Sequence, residues 1–181
     1  MDGSNAKQLT QGVWGDYQPL PSPDGKWVIF QSWRSDRART WKVSSDGGDP
    51  VQLNDLVFQV RQSLSDGRLM SGQYYDEQAK PPRWRAALVS FESGELVKVF
   101  DVPPKTRQWM MTDERTLIYS EDNDSVSNLW TIPVDGGTPK QLTKFTSELI
   151  FNFRPSQDGK RFALVRGTNS TEIILIKGFS S

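Results

Sequence analysis

Oxygen donors crowd the stretch "EDNDSVSN" at residues 121–128, where three carboxylates and two amides fall within eight positions. Hard cations such as Ca²⁺ take ligands of this kind. The stretch lacks the spacing of an EF-hand loop and its distal bidentate Glu, so a solvated loop is the expectation. Carboxylates recur in the Asp-Gly pairs at 24–25, 66–67 and 158–159. Their local role is the stronger reading: Asp accepts backbone hydrogen bonds and Gly takes the left-handed conformation, which makes a tight turn. The chain has no Cys and no His. Thiol chemistry, disulfides and thiolate or imidazole metal ligands are therefore excluded within it, and so is a Ser-His-Asp or Cys-His arrangement. No Gly-x-Ser-x-Gly elbow or phosphate-cradling glycine loop occurs. Paired carboxylates can hydrolyse glycosides, but nothing singles out a pair. The expectation is a chain that is not an enzyme and holds no cofactor and no metal.

Binding is better represented than catalysis. "SWRSDRAR" at 32–39 carries Trp33 and Arg34, and "QYYDEQAKPPRWR" at 73–85 carries Tyr74, Tyr75, Trp84 and Arg85. Aromatic and arginine side chains dominate the energetics of protein interfaces. Both stretches read as polar loops between strands, on one face of the molecule. Trp109, in "TRQWMM" at 106–111, sits on an approach strand, where it lines a channel or fills the core. These seven residues form the candidate site, set against an ordinary solvated surface. Trp41 and Trp130 share one repeat position, with Leu88 and Ile174 aligned to them, which points to packing rather than ligand contact.

Lys+Arg and Asp+Glu are both 22, so no net field gathers nucleic acid or an anionic membrane surface. The expected partner is a protein or peptide, with no nucleic acid and no direct membrane contact. The longest purely aliphatic run, 173–176, is far short of a membrane span, and no basic-then-apolar signal opens the chain. The compartment stays unassigned.

The elements that must position these residues are repeats. "SPDGKWVIF" at 22–30 returns as "SQDGKRFAL" at 156–164, with looser copies "LSDGRLMSG" at 64–72 and "MTDERTLIY" at 111–119. Their aspartates fall at 24, 66, 113 and 158, in steps of 42, 47 and 45. A second marker follows in "TWKVSSDGG" at 40–48, "ALVSFESGE" at 87–95 and "LWTIPVDGG" at 129–137; "IILIKGF" at 173–179 keeps the strand without the turn. The apolar runs are short and β-prone, and no segment sustains a 3.6-residue period. Each repeat therefore holds about four strands: approach strand, Asp-Gly turn, second strand, polar loop, third strand, glycine turn and fourth strand. Four-stranded units of this length, 14 Gly, 11 Pro and 7 Trp fit an all-β propeller of about four four-stranded blades.

The stretch at 21–53, "PSPDGKWVIFQSWRSDRARTWKVSSDGGDPVQL", resembles the WD40-like PD40 repeat of TolB-type β-propellers. That pattern runs from a Ser-Pro-Asp-Gly-Lys turn through an aromatic-bearing strand to an Asp-Gly-Gly turn and a closing "QLT"-like strand. The resemblance extends over almost the whole chain, with the second repeat divergent. Such repeats occur in TolB, in propellers attached to bacterial Ser/Thr kinases and winged-helix regulators, and in propellers of prolyl-oligopeptidase-like peptidases. The resemblance implies a non-catalytic, protein- or peptide-binding or sensory module of a larger bacterial protein. The alternatives are the accessory propeller of a serine peptidase and a TolB-like periplasmic binder; the resemblance tilts the compartment toward the periplasm.

Residues 1–181 read as a single domain with blades near 13–54, 55–101, 102–144 and 145–181. "DGSNAKQLT" at 2–10 nearly repeats "DGGTPKQLT" at 135–143, which closes the third blade. The first residues thus look like a fourth strand without the three before it. Either residues 6–10 close the last blade into a four-bladed ring, or the chain is an arc of a six- to eight-bladed propeller. A monomer, or a homodimer completing a ring, would satisfy the exposed edges.

Overall fold

The computed structural model describes residues 6–13, 15–112, 115–156 and 161–172. No helix occurs among them. Among the described residues fourteen strands form antiparallel sheets in strict chain order. The first blade is β1 (Asp16–Pro21), β2 (Trp27–Ser32), β3 (Arg39–Ser44) and β4 (Val51–Gln52). The second is β5 (Phe58–Ser63), β6 (Leu69–Asp76), β7 (Arg83–Ser90) and β8 (Leu96–Phe100). The third is β9 (Thr106–Met111), β10 (Thr116–Asn123), β11 (Val126–Pro133) and β12 (Lys140–Gln141). The fourth shows β13 (Leu149–Pro155) and β14 (Phe162–Gly167). Its expected third strand at 173–179, and with it Ile174 and the Asp158-Gly159 turn, lies outside the described residues.

The Asp-Gly turns form as local chemistry dictates. In the first, the Ser22 hydroxyl donates to Asp24 Oδ1 at 2.6 Å, the Lys26 amide donates to the same oxygen at 3.1 Å, and Gly25 takes φ 70°. In the second, the Arg68 amide donates to Asp66 Oδ1 at 2.8 Å. Asp24 and Asp66 are thereby spent on the backbone.

Successive blades face one another through apolar layers set by strand alternation. Ile29 of β2 meets Phe58, Val60, Met70, Ala87 and Val89 of the second blade. Ala86 and Leu88, on the opposite face of the second blade, meet Trp109, Met111, Leu117 and Tyr119 of the third. Ile118 and Leu129 then meet Ile150 and Phe153 of the fourth. Polar stitches cross two of these seams. Thr40 Oγ1 accepts from Gln31 Nε2 at 3.0 Å and donates to the Phe58 carbonyl at 2.8 Å. The Ile150 amide donates to Ser127 Oγ at 3.0 Å. Trp130 packs against the layer between the second and third blades. Trp41, its repeat equivalent, is half-buried on the other face of the first blade, within 5.8 Å of the Arg34 guanidinium.

Two stretches expected as loops are mostly strand. The 73–85 segment continues β6 to Asp76 and resumes as β7 at Arg83, leaving only 77–82 as connection. Its Tyr, Trp and Arg side chains favour a paired, half-buried ladder, and Tyr74↔Arg85 and Tyr75↔Trp84 are opposed. The 121–128 segment is a hairpin, with Glu121↔Asn128 through Asn123↔Val126 in register. Asp124 takes φ 54°, a conformation that Asn and Asp tolerate well. Asp122 accepts from Ser127 Oγ at 2.6 Å and pairs with Arg107 at 2.7 Å, so both of its oxygens are engaged within the fold.

Residues 6–10 form no ladder among the described residues. Lys7, Leu9 and Thr10 share with Val28, Phe30 and Val43 the lining of a small cavity of about 240 Å³ on the upstream side of the first blade. The Lys7 ammonium donates to the Asp46 carbonyl in the β3–β4 turn. The partner that would close a ring, 173–179, is outside the described residues.

Candidate functional site

The innermost strands β1, β5, β9 and β13, one from each blade, line a single groove of about 460 Å³. Every one of them departs from regular pairing. The register shifts between Tyr17 and Leu20, between Val60 and Gln62, opposite Ser120–Glu121 and between Ile150 and Asn152. A bulge adds a residue, bends the strand and re-aims a side chain. In β5 the extra residue is Arg61. In β1 the irregularity carries Gln18 at φ 54°.

The groove floor is polar, with apolar flanks. Ser71, 1% exposed, and Gln108 both line it. Gln108 Nε2 donates to Asn152 Oδ1 at 3.0 Å, tying the third blade to the fourth. Gln108 Oε1 and Ser71 Oγ are buried and have no hydrogen-bond partner among the described residues. Buried polar atoms in folded proteins are nearly always paired, so each such atom calls for an explanation. Leu20, Val60, Trp109 and Met110 supply apolar surface, and Arg61 and Arg154 supply charge.

Of the seven residues expected from the sequence, only Trp109 lines this groove. It is 8% exposed and also belongs to the layer between the second and third blades. The other six lie toward the polar connections. Trp33 and Trp84 are open to solvent, at 53% and 44%. Trp84 packs against Tyr75 with ring centroids 5.2 Å apart. The connections of the first two blades are neighbours, joined by the Arg37–Glu77 ion pair at 2.7 Å. Arg34 turns back onto its own blade, donating to Asp16 at 2.7 Å and lying 5.7 Å from the Phe30 ring. Arg85 is held by Asp76 at 3.1 Å and by Asp101. Two of the expected contact residues are thus committed internally. Tyr74 packs against the layer between the first two blades, and burial raises its phenol, reinforced by the Asp76 and Glu77 charges.

Carboxylates near this face are neutralised. Burial pushes Asp16 up, but hydrogen bonds from Arg34, Ser32 and Thr10 together with the Arg34 charge outweigh it, so the carboxyl sits below the usual 3.8. The Arg85 hydrogen bond holds Asp76 low against the opposing effect of burial, helped by the Ala79 and Gln78 amides. The reading of the sequence missed Gln18, Arg61, Ser71, Gln108 and Arg154. Gln18, Arg61, Gln108 and Arg154 share a signal of position, each lying on an approach strand ahead of an Asp turn, whereas Ser71 lies on the second strand of its blade, just after one.

Three comparisons place this geometry among known proteins. No family model matches the chain. A protein of Agrobacterium fabrum, described only as uncharacterized, is 26% identical over 108 residues, covering 56% of this chain and 37% of its own length. Among solved structures, TolB from Acinetobacter baumannii superposes with a TM-score of 0.63 at 18% identity, covering 94% of this chain and 42% of that one. The acylaminoacyl peptidase of Pyrococcus horikoshii gives 0.62 at 15% identity, covering 86% of this chain and 28% of that one. The chain thus spans less than half the length of each of these three proteins. At these identities the structural likeness is one of fold.

Proposed function

The chain carries a TolB-like β-propeller fold, and from that premise we propose that it is a non-catalytic module that binds a protein or peptide segment in the groove between its inner strands. The observation that carries this reading is the convergence of four blades on one cleft with buried, unpaired polar atoms at its floor. A peptide offers both what Gln108 Oε1 lacks, an N–H donor, and what Ser71 Oγ lacks, a carbonyl acceptor. The module belongs to a longer bacterial protein. A Ser/Thr kinase or winged-helix regulator is the first parent to test; an accessory propeller of a serine peptidase and a TolB-like periplasmic protein are the rivals. Kinase motifs or a winged helix upstream in the coding sequence favour the first, and a downstream nucleophile elbow favours the peptidase.

The solvent-open Trp33 and the Tyr75–Trp84 pair support a second docking face at the connections. Selection from a random displayed-peptide library, followed by calorimetry, separates the two. Selected peptides that weaken on Gln108→Ala, and not on Trp33→Ala or Trp84→Ala, support the groove. Weakening only by the tryptophan variants moves the site to the connections. No enrichment contradicts both.

A further inference from the structure

Charge in the groove is one-sided. Arg61 and Arg154 line it from the second and fourth blades, and no carboxylate does so among the described residues. Arg61 Nη2 donates to the Gln73 amide oxygen at 3.0 Å, and Arg154 approaches only the Met110 sulfur, at 3.9 Å. Neither forms an ion pair among the described residues. Arg34, Arg37, Arg85 and Arg107, by contrast, are each held by a carboxylate within 3.1 Å. In a chain with equal numbers of acids and bases, two unneutralised guanidinium groups facing one cleft make a local positive field. The fold directs one of them there: Arg61 is the inserted residue of the β5 bulge, freed from the in-out alternation of its neighbours.

We infer that the groove recognises a peptide carboxylate, held by Arg61 and Arg154, with an apolar residue beside it. This inference rests on the peptide-binding reading above. Guanidinium offers planar paired donors that match a carboxylate, and charge-assisted hydrogen bonds of this kind are about twice as strong as neutral ones. The Ser71 hydroxyl marks the same site, since it is buried, lines the groove and has no hydrogen-bond partner among the described residues. Gln108 Oε1 accepts a backbone N–H of the same segment. Leu20, Val60 and Met110 form the surface for the apolar neighbour.

Fluorescence polarisation on the whole chain tests this with three labelled octapeptide pools. All variable positions exclude Asp and Glu; one pool fixes an internal Glu next to Leu with an amidated end, one replaces that Glu by Gln with an amidated end, and one keeps Gln with a free C-terminal carboxylate. A carboxylate-bearing pool should bind about tenfold more tightly than the amidated Gln pool, and less so at high salt. Arg61→Gln and Arg154→Gln should each abolish that preference, while Arg83→Gln, on the exposed start of β7, should leave it intact. Preference confined to the Glu pool assigns the carboxylate to a side chain; preference in the free-carboxylate pool assigns it to a chain end. Equal binding of all pools, or a preference that survives both groove variants, overturns the carboxylate assignment and leaves the peptide groove standing. Absence of binding in every pool overturns both.

Discussion

Gly94 is a position where residue identity decides the backbone. Its φ is 71°, and a Cβ there would lie 2.0 Å from the Leu53 carbonyl oxygen and 2.8 Å from its carbon. That carbonyl ends the first blade, so the turn after β7 closes directly on its neighbour. Asn54 Nδ2 reinforces the contact by donating to the Gly94 carbonyl at 2.8 Å. Gly94→Ala adds left-handed strain to a backbone clash and should cost about 2–4 kcal/mol. Gly67→Asn, at φ 67° with open space around it, should cost under about 1 kcal/mol. Equal thermal midpoints for the two variants would contradict this account of the seam.

Asp16 gives a pH-dependent test at the same scale. Its folded-state carboxyl is held below 3.8, so its ionised form contributes stability that is present above that value and is lost as pH falls through the lower folded value. The melting difference between the wild type and Asp16→Asn should therefore be full near neutral pH and shrink once pH drops below about 4. A difference that grows with acid would mean that the Arg34 pairing does not govern Asp16.

Elements are held by blade-to-blade layers more than by their edges. Leu88, on β7, is fully buried between the second and third blades, whereas Leu96 of β8 is 37% exposed at the outer edge. Leu88→Ala should cost about 2–5 kcal/mol and Leu96→Ala under about 1 kcal/mol, read from denaturant midpoints. The existence and order of these elements were legible because Asp-Gly turns and short β-branched or aromatic runs recur in step. The extent of β6, β7, β10 and β11 was not. Polar residues in "QYYDEQAKPPRWR" and "EDNDSVSN" read as loop, yet cross-strand pairing carries the ladders past the core into solvent. The groove was hidden for a related reason. Strict alternation along "FQVRQS" assigns Arg61 to one face of the sheet, and only the bulge, which depends on the partner strand, changes where it points.

For the whole molecule, the four inner strands act as one surface. Residues 7, 9 and 10 line a small cavity on the upstream side of the first blade, while Val165 of β14 is 57% exposed on the far side of the fourth. The groove lies along the inside of this stack and draws its polar atoms from three blades and its arginines from two. A ligand there would touch strands far apart in sequence and leave the connections at 33–38 and 77–82 untouched. Hydrogen exchange on the protein with and without a selected peptide reads this footprint directly. The predicted result is added protection in β1, β5, β9 and β13 together, with the two connections unchanged. Protection confined to those connections, with the inner strands unaffected, would contradict the groove as the binding site.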